Sequence, residues 1–137
     1  MTREAFYNAI ATGGGDFTAS SLLDAVQMAS NASISTVGGT GTLNASGLFT
    51  WSGGTQSGTG MTNANGGSDF SAPSGTGKTL TNRTLNLSGT TTWGTATTSG
   101  RTFIQMSGPA VVNNNGTILF QNETGTGFQG FFAGTVN

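Results

Sequence analysis

The 137-residue chain lacks cysteine and histidine, and only 7% of its residues are charged. Without these two residue types it cannot build a cysteine–histidine zinc site, ligate haem through histidine or use a Ser-His-Asp triad. A formal net charge of -1 leaves no basic patch for nucleic acid and little repulsion between copies. We therefore expect no cofactor, no metal site, no nucleic-acid partner and no enzymatic activity.

Long hydrophobic runs are also missing from the sequence. No stretch approaches the roughly 18 apolar residues that cross a bilayer as a helix, so we expect no membrane insertion. The N-terminal segment MTREAFYNAI has no signal-peptide core. We expect the chain to be a fragment of a longer exported protein, or to be exported by other means.

Small and polar residues dominate what is present: 24 Gly, 25 Thr, 14 Ser and 12 Asn. Disordered linkers usually combine high net charge with frequent proline and few aromatic residues. This chain has two Pro, and its nine Phe, two Trp and one Tyr are spread along the whole length. The composition therefore predicts a folded chain with a lean core.

Local patterns divide the chain near residue 33. Thr2 caps a predicted helix over 2–11, and a capping box at Ser21 and Asp24 begins a second predicted helix that ends near Ser30. Beyond residue 33, short β-type runs alternate with Gly, Asn and Ser turns. We predict a helical lead-in or cap over 1–33 and β-solenoid repeats over 34–137.

A repeat supports this division. Thr42–Trp51 aligns with Thr84–Trp93 at an offset of 42 residues, with seven of ten residues identical. A propeller blade has this length, but four blades need roughly 160 residues. The offset therefore predicts two coils of a solenoid with about 21 residues each. Thr-apolar starts near 42, 62, 84, 102 and 117 predict about five coils of 15 to 22 residues.

Apolar residues of these runs are the candidates for the narrow interior, while Gly and Asn suit the corners and stacked Ser, Thr and Asn side chains pair between coils. The candidate core residues are Leu43, Leu48, Trp51, Met61, Phe70, Leu80, Leu85, Leu87, Trp93, Phe103, Val111, Ile118 and Phe120.

The segments 41–60 and 77–93 resemble repeats of large bacterial surface proteins of the autotransporter-adhesin and filamentous-haemagglutinin-like type. The resemblance covers about residues 40 to 126. It implies an all-β fold, a right-handed parallel β-helix of about five short coils with a helical N-terminal cap, in a rigid stalk outside the cell or on its surface. The function that follows is a non-enzymatic structural or adhesive module of a β-helical fibre.

Two further functions remain open at this stage. One is a self-assembling filament or virion-fibre protein. The other is a carbohydrate-binding or lyase-type solenoid, in which a surface glycan would contact Trp51 and Trp93, and Arg83, Arg101 and Lys78 would lie near acidic calcium ligands. The two tryptophans share a register and are more typical of core or corner residues than of sugar platforms.

A Walker-like segment, APSGTGKT at 72–79, has the spacing of a P-loop. A P-loop follows a buried strand and opens a helix. The residues before this segment do not have the pattern of a buried strand, and those after it do not have the pattern of a helix. We therefore predict a solenoid corner with an exposed Lys78.

The C-terminal segment 125–137 contains three Phe and neither charge nor proline. Terminal repeats of soluble solenoids usually carry a polar outer face. We therefore expect this segment to join copies of the chain into a homo-oligomer or fibre through the solenoid ends. The predicted contact residues are Phe128, Phe131, Phe132 and Val136.

Overall fold

Parallel strands make up the regular structure in the computed structural model of the chain, which describes residues 17–19, 26–28, 36–71, 77–94, 102–121 and 129–137. The described residues contain no helix. The strands are β1 Phe17–Ala19, β2 Val26–Met28, β3 Thr36–Val37, β4 Thr42–Ala45, β5 Phe49–Trp51, β6 Gly54–Ser57, β7 Met61–Ala64, β8 Ser68–Asp69, β9 Gly77–Thr81, β10 Thr84–Leu87, β11 Thr90–Trp93, β12 Thr102–Ser107, β13 Val111–Asn114, β14 Thr117–Phe120, β15 Gln129–Phe132 and β16 Thr135–Val136.

Each strand pairs in parallel with the strand three places further along the chain. Sheet A has the order β1-β4-β7-β10-β13-β16, sheet B the order β2-β5-β8-β11-β14, and sheet C the order β3-β6-β9-β12-β15. The chain therefore visits sheets A, B and C in turn and then begins the next coil, as in a β-solenoid. The predictions of an all-β fold and of parallel stacking beyond residue 33 are confirmed.

The coils differ in length. Successive asparagines of sheet A, from Asn44 to Asn137, are 19, 23, 27 and 24 residues apart. The 42-residue offset is thus two coils, with Thr62 between Leu43 and Leu85 in the register. The predicted coil starts near 102 and 117 are wrong, because these residues begin strands of sheets C and B. The predicted range of 15 to 22 residues is accordingly too short.

The second predicted helix is wrong where the structure describes it. Val26–Met28 forms β2, and its ends pair in parallel with Phe49 and Trp51 of β5. Val26 and Met28 are two positions apart, so they fit the alternation of a strand as well as a helical stripe. The first predicted helix, over 2–11, lies outside the described residues.

Alternate residues of most strands point into a shared interior. Seven of the predicted core residues are buried: Leu43, Trp51, Phe70, Leu80, Leu85, Leu87 and Trp93. Phe103, Val111 and Ile118 are half-buried. The prediction is wrong for Leu48, Met61 and Phe120, which are 45%, 38% and 50% exposed. Leu48 lies at a corner, Met61 is on the outward side of β7, and Phe120 lies in the last strand of sheet B.

The connections between sheets follow two different rules. From β4 onward the spacing between sheets A and B is constant, because Ala45 and Phe49 align with Ala64 and Ser68 of the next coil. The first coil differs, since Ala19 and Val26 align with Ala45 and Phe49 but are seven residues apart and not four. A Cβ atom at Gly66 in this corner would overlap the carbonyl oxygen of Ser46. From sheet B to sheet C the connection has two residues between β5 and β6 but eight between β11 and β12. The unequal coil lengths therefore arise largely between sheets B and C.

Candidate functional site

Two cationic side chains lie in the solenoid interior. Lys78 is 0% exposed and Arg83 is 1% exposed. The prediction of an exposed corner at Lys78 is wrong, because Gly77–Thr81 forms β9 and both Lys78 and Leu80 are on its buried side. In the register Lys78 aligns with Gly54 of the preceding coil and Ile104 of the following coil.

The same observation bears on the Walker-like segment. Gly77, Lys78 and Thr79 begin a strand and not a helix, so they provide no helix N-terminus for a phosphate. Residues 72–76 of this segment lie outside the described residues. The buried ammonium is directed to the interior and offers no contact to a nucleotide at the surface.

The guanidinium of Arg83 is surrounded by oxygen acceptors. Its five hydrogen bonds run from Nε to Thr62 Oγ1 at 3.0 Å, from Nη1 to the carbonyls of Gly39 and Ser57 at 3.3 Å each, and from Nη2 to those of Gly41 at 3.2 Å and Met61 at 2.8 Å. Thr62 Oγ1 in turn donates to Gln56 Oε1 at 2.7 Å. One side chain thereby contacts two successive corners between sheets C and A. Gly39 and Gly41 lie within the first corner, and Ser57 and Met61 flank the second.

Packing around this guanidinium depends on a glycine. A Cβ atom at Gly60 would lie 2.7 Å from Arg83 Nη1 and would overlap the carbonyl oxygen of Gly41. Burial lowers the pKa of Arg83. The five acceptors compensate for the lost hydration, so the charge is accommodated in the interior. We call this arrangement the Arg83 node.

Lys78 has a different environment. Its Nζ atom has no hydrogen-bond partner within the part of the chain that the structure describes. Desolvation lowers the pKa of Lys78 to about 8, and the negative charge of Asp69 acts in the opposite direction. The Asp69 carboxylate accepts a hydrogen bond from the Ser71 backbone amide at 2.8 Å. The ammonium therefore keeps its proton at neutral pH at an energetic cost.

Asparagine side chains form a ladder on the outer face of sheet A. Asn63 donates from Nδ2 to Asn44 Oδ1 at 2.6 Å, and Asn86, Asn113 and Asn137 each donate to the preceding rung at 2.7 to 2.8 Å. The predicted pairing of stacked polar side chains is confirmed here. All the donors point toward the N-terminal coils, so the ladder has a direction.

Aromatic side chains stack in the interior behind sheet B. Ring centroids are 5.8 Å apart between Trp51 and Phe70, 5.2 Å between Phe70 and Trp93, and 5.6 Å between Trp93 and Phe120. Both tryptophans are fully buried. They are core residues, as their shared register indicated, and they provide no surface for stacking a sugar.

The C-terminal strands continue the same solenoid. β15 pairs with β12 and β16 pairs with β13. Of the predicted assembly residues, Phe131 is half-buried and packs edge-on against Trp93 at 4.9 Å, whereas Val136 is 46% exposed. Phe128 and the side chain of Phe132 lie outside the described residues.

Of the cationic residues considered for lyase chemistry, Arg101 lies outside the described residues, and Lys78 and Arg83 are buried in the interior. Within the described ranges no three acidic, His or Cys side chains could hold a metal ion. The same ranges contain no helix of the length and apolarity needed to span a membrane.

Sequence reasoning missed the Arg83 node. The sequence signal for a buried polar group was Thr62, because the register places this residue in the same inward column as Leu43 and Leu85. Comparisons with protein-family models, with curated proteins and with solved structures give no match.

Proposed function

We propose that this chain is a non-enzymatic structural or adhesive module, a segment of a right-handed β-helical fibre outside the cell or on its surface. The observation that carries the proposal is the continuity of the stacking. The asparagine ladder and the aromatic column each run through four successive coils or more. Interactions that repeat along one axis favour a rod.

The cationic residues support the same proposal. A lyase would need Arg or Lys at a surface groove, but Lys78 and Arg83 are enclosed in the interior. Arg83 uses its donors to hold backbone carbonyls of its own chain. Their role is therefore structural in this proposal.

Pulling on single molecules tests the rod. With handles at both termini, we expect stepwise unfolding in which each step releases one coil of 19 to 27 residues, or roughly 7 to 10 nm at about 3.6 Å per residue. Unfolding without coil-sized steps would contradict the proposal. So would release of new reducing ends from a polysaccharide panel by the wild-type chain.

A second candidate function is self-assembly into a filament or virion fibre. The observation that favours it is the C-terminal end, where β14, β15 and β16 are the last strands of sheets B, C and A. Unpaired strand edges are templates for pairing with another chain. Electron microscopy of concentrated protein would show filaments in this case and isolated short particles otherwise.

A further inference from the structure

Two Asn-Gly pairs occur in the sequence, Asn65-Gly66 and Asn115-Gly116. The residues before them, Ala64 and Asn114, both align with Leu87, so each pair follows sheet A at the same corner between sheets A and B. All four residues of the two pairs are exposed. Each pair therefore presents an asparagine side chain and a following glycine amide to water at an equivalent place in the solenoid.

An asparagine that precedes glycine can modify itself. The glycine nitrogen loses its proton to water and forms a bond to the asparagine Cγ atom, and the Cγ–Nδ2 bond breaks to release ammonia. Water then opens the succinimide ring at either carbonyl. One product is aspartate, and the other is isoaspartate, in which the main chain runs through the former side chain. Glycine favours the reaction because it has no Cβ atom to obstruct the attack.

The two pairs differ in how the attacking amide is held. Asn114 Oδ1 accepts a hydrogen bond from the Gly116 amide at 3.4 Å, and Asn114 Nδ2 donates to the Gly116 carbonyl at 3.2 Å. We call these two hydrogen bonds the Asn114 clamp. Ala64 has the equivalent position before Asn65 and cannot form such bonds. Within the described residues, the Gly66 amide and the Asn65 side chain make no hydrogen bond.

Packing against the preceding coil does not distinguish the two pairs. A Cβ atom at Gly66 would overlap the carbonyl oxygen of Ser46, and one at Gly116 would overlap that of Gly89. The asparagine of each pair donates its backbone amide to the preceding coil at 2.8 Å. The Asn114 clamp is therefore the difference that affects the relative rates of attack.

We propose that Asn65 is a site of spontaneous deamidation in the folded solenoid, and that the Asn114 clamp protects Asn115 from the same reaction. The reaction consumes only water and releases ammonia, so it needs no enzyme and no cofactor. At Asn115 the clamp must open before the glycine nitrogen can turn toward Cγ, because a donated N–H is held away from the attack. The inference goes beyond the proposed function and does not depend on it.

Modification at Asn65 changes a corner of fixed length. The spacing from Ala64 to Ser68 equals that of the preceding coil, with both flanking strands in register. Isoaspartate adds one atom to the main chain between these strands, and no matching atom is added in the adjacent coils. We therefore expect the isoaspartate form to be less stable than the unmodified chain.

Incubation of the folded chain in mildly alkaline buffer, followed by trypsin digestion and mass spectrometry, tests the proposal. Cleavage after Lys78 and Arg101 places the two pairs on different peptides. Breaking two weak hydrogen bonds shifts a local opening equilibrium by roughly tenfold, so we expect Asn65 to deamidate roughly tenfold faster than Asn115. Asn114→Ala removes the clamp and should raise the rate at Asn115 to that at Asn65.

Asn65→Ser is the matched control, because serine precedes glycine at the equivalent positions 46 and 88. It should keep the circular dichroism spectrum and abolish the modification of its peptide. Asn65→Asp adds the new carboxylate to an unaltered main chain. The isoaspartate form, separated by ion exchange, should unfold at a lower denaturant concentration than Asn65→Asp.

Three outcomes would count against the proposal. An Asn65 that stays intact in the folded chain, while the same chain reacts in denaturant, would overturn the site. Equal rates at Asn65 and Asn115 in the wild-type chain would overturn the protection, as would an Asn115 rate that Asn114→Ala leaves unchanged. Should Asn114→Ala fail to fold, the wild-type comparison decides.

Discussion

Arg83 and Lys78 place two positive charges in one interior, and their surroundings differ sharply. Arg83 donates five hydrogen bonds to oxygen atoms of its own chain, while Lys78 Nζ has no partner within the described residues. Burying a charge is costly unless hydrogen bonds replace its hydration. The difference teaches that the acceptors around a buried cation, more than burial itself, decide whether it stabilises the fold.

The largest effect is expected at the Arg83 node. Arg83→Met keeps much of the side-chain volume but removes five hydrogen bonds, although the carbonyls of Gly39 and Gly41 still accept from backbone amides. We expect the free energy of unfolding to fall by about 3–5 kcal/mol, because hydrogen bonds to a charged group contribute about 1.5–3 kcal/mol each and the removal of a buried charge offsets part of their sum. Chemical denaturation monitored by circular dichroism measures this change.

Arg83→Lys is the control for charge in this experiment. A lysine keeps the positive charge but has no planar fork to reach carbonyls on both sides of the corner. We expect it to restore less than half of the lost stability. Full rescue by lysine would show that charge, and not the five-bond geometry, stabilises the node.

Lys78→Met is expected to act in the opposite direction. The substitution removes an unpaired buried ammonium and keeps a flexible apolar side chain, so we expect about 1–3 kcal/mol of added stability at pH 7. A loss of stability on this substitution would contradict the comparison with Arg83.

The pH dependence gives an independent test of Lys78. Its pKa is about 8 in the folded chain and 10.5 as the ordinary value. Between these values the unfolded chain binds the proton and the folded chain does not, so stability rises with pH. At about 1.4 kcal/mol per pKa unit, the rise amounts to at most about 3–4 kcal/mol. Lys78→Met should abolish this rise of stability with pH. Arg83→Lys tests whether a second buried amine produces a rise of the same kind.

The asparagine ladder extends the comparison to half-exposed polar groups. Asn86→Ala breaks two rungs, to Asn63 and Asn113, whereas Asn137→Ala breaks the single bond to Asn113. Because water replaces part of each lost bond, we expect about 1 kcal/mol for Asn86 and about half of that for Asn137. Equal losses would show that the rungs do not contribute separately.

The coil repeat was accessible from sequence because Leu43 and Leu85, and likewise Trp51 and Trp93, occupy equivalent columns two coils apart. The intermediate coil was hidden. Thr62 stands in the leucine column, and Phe70 follows a strand of only two residues. Because similar residues recur only in every second coil here, the sequence shows a period of two coils, while the structure repeats once per coil.

Lys78 was misassigned for a physical reason. Lysine is almost never fully buried without a partner, so an exposed corner was the better expectation from residue type alone. The alternation of β9, which places Lys78 and Leu80 on one side, was the contrary signal. Phe120 was predicted as a core residue from its apolar type, but it is 50% exposed in β14, the last described strand of sheet B.

The corner between sheets A and B, constant from β4 onward, and the changing connection between sheets B and C have an evolutionary consequence. Insertions at Gly66 or its neighbours would force backbone atoms of adjacent coils apart. Between equivalent positions of sheets B and C, the β11–β12 connection already accommodates eight residues more than the β5–β6 connection, with the flanking registers maintained. Loop closure becomes only slowly more costly with length. New sequence, and with it new recognition, can therefore accumulate along one edge of the rod while the corner between sheets A and B keeps its length from β4 onward.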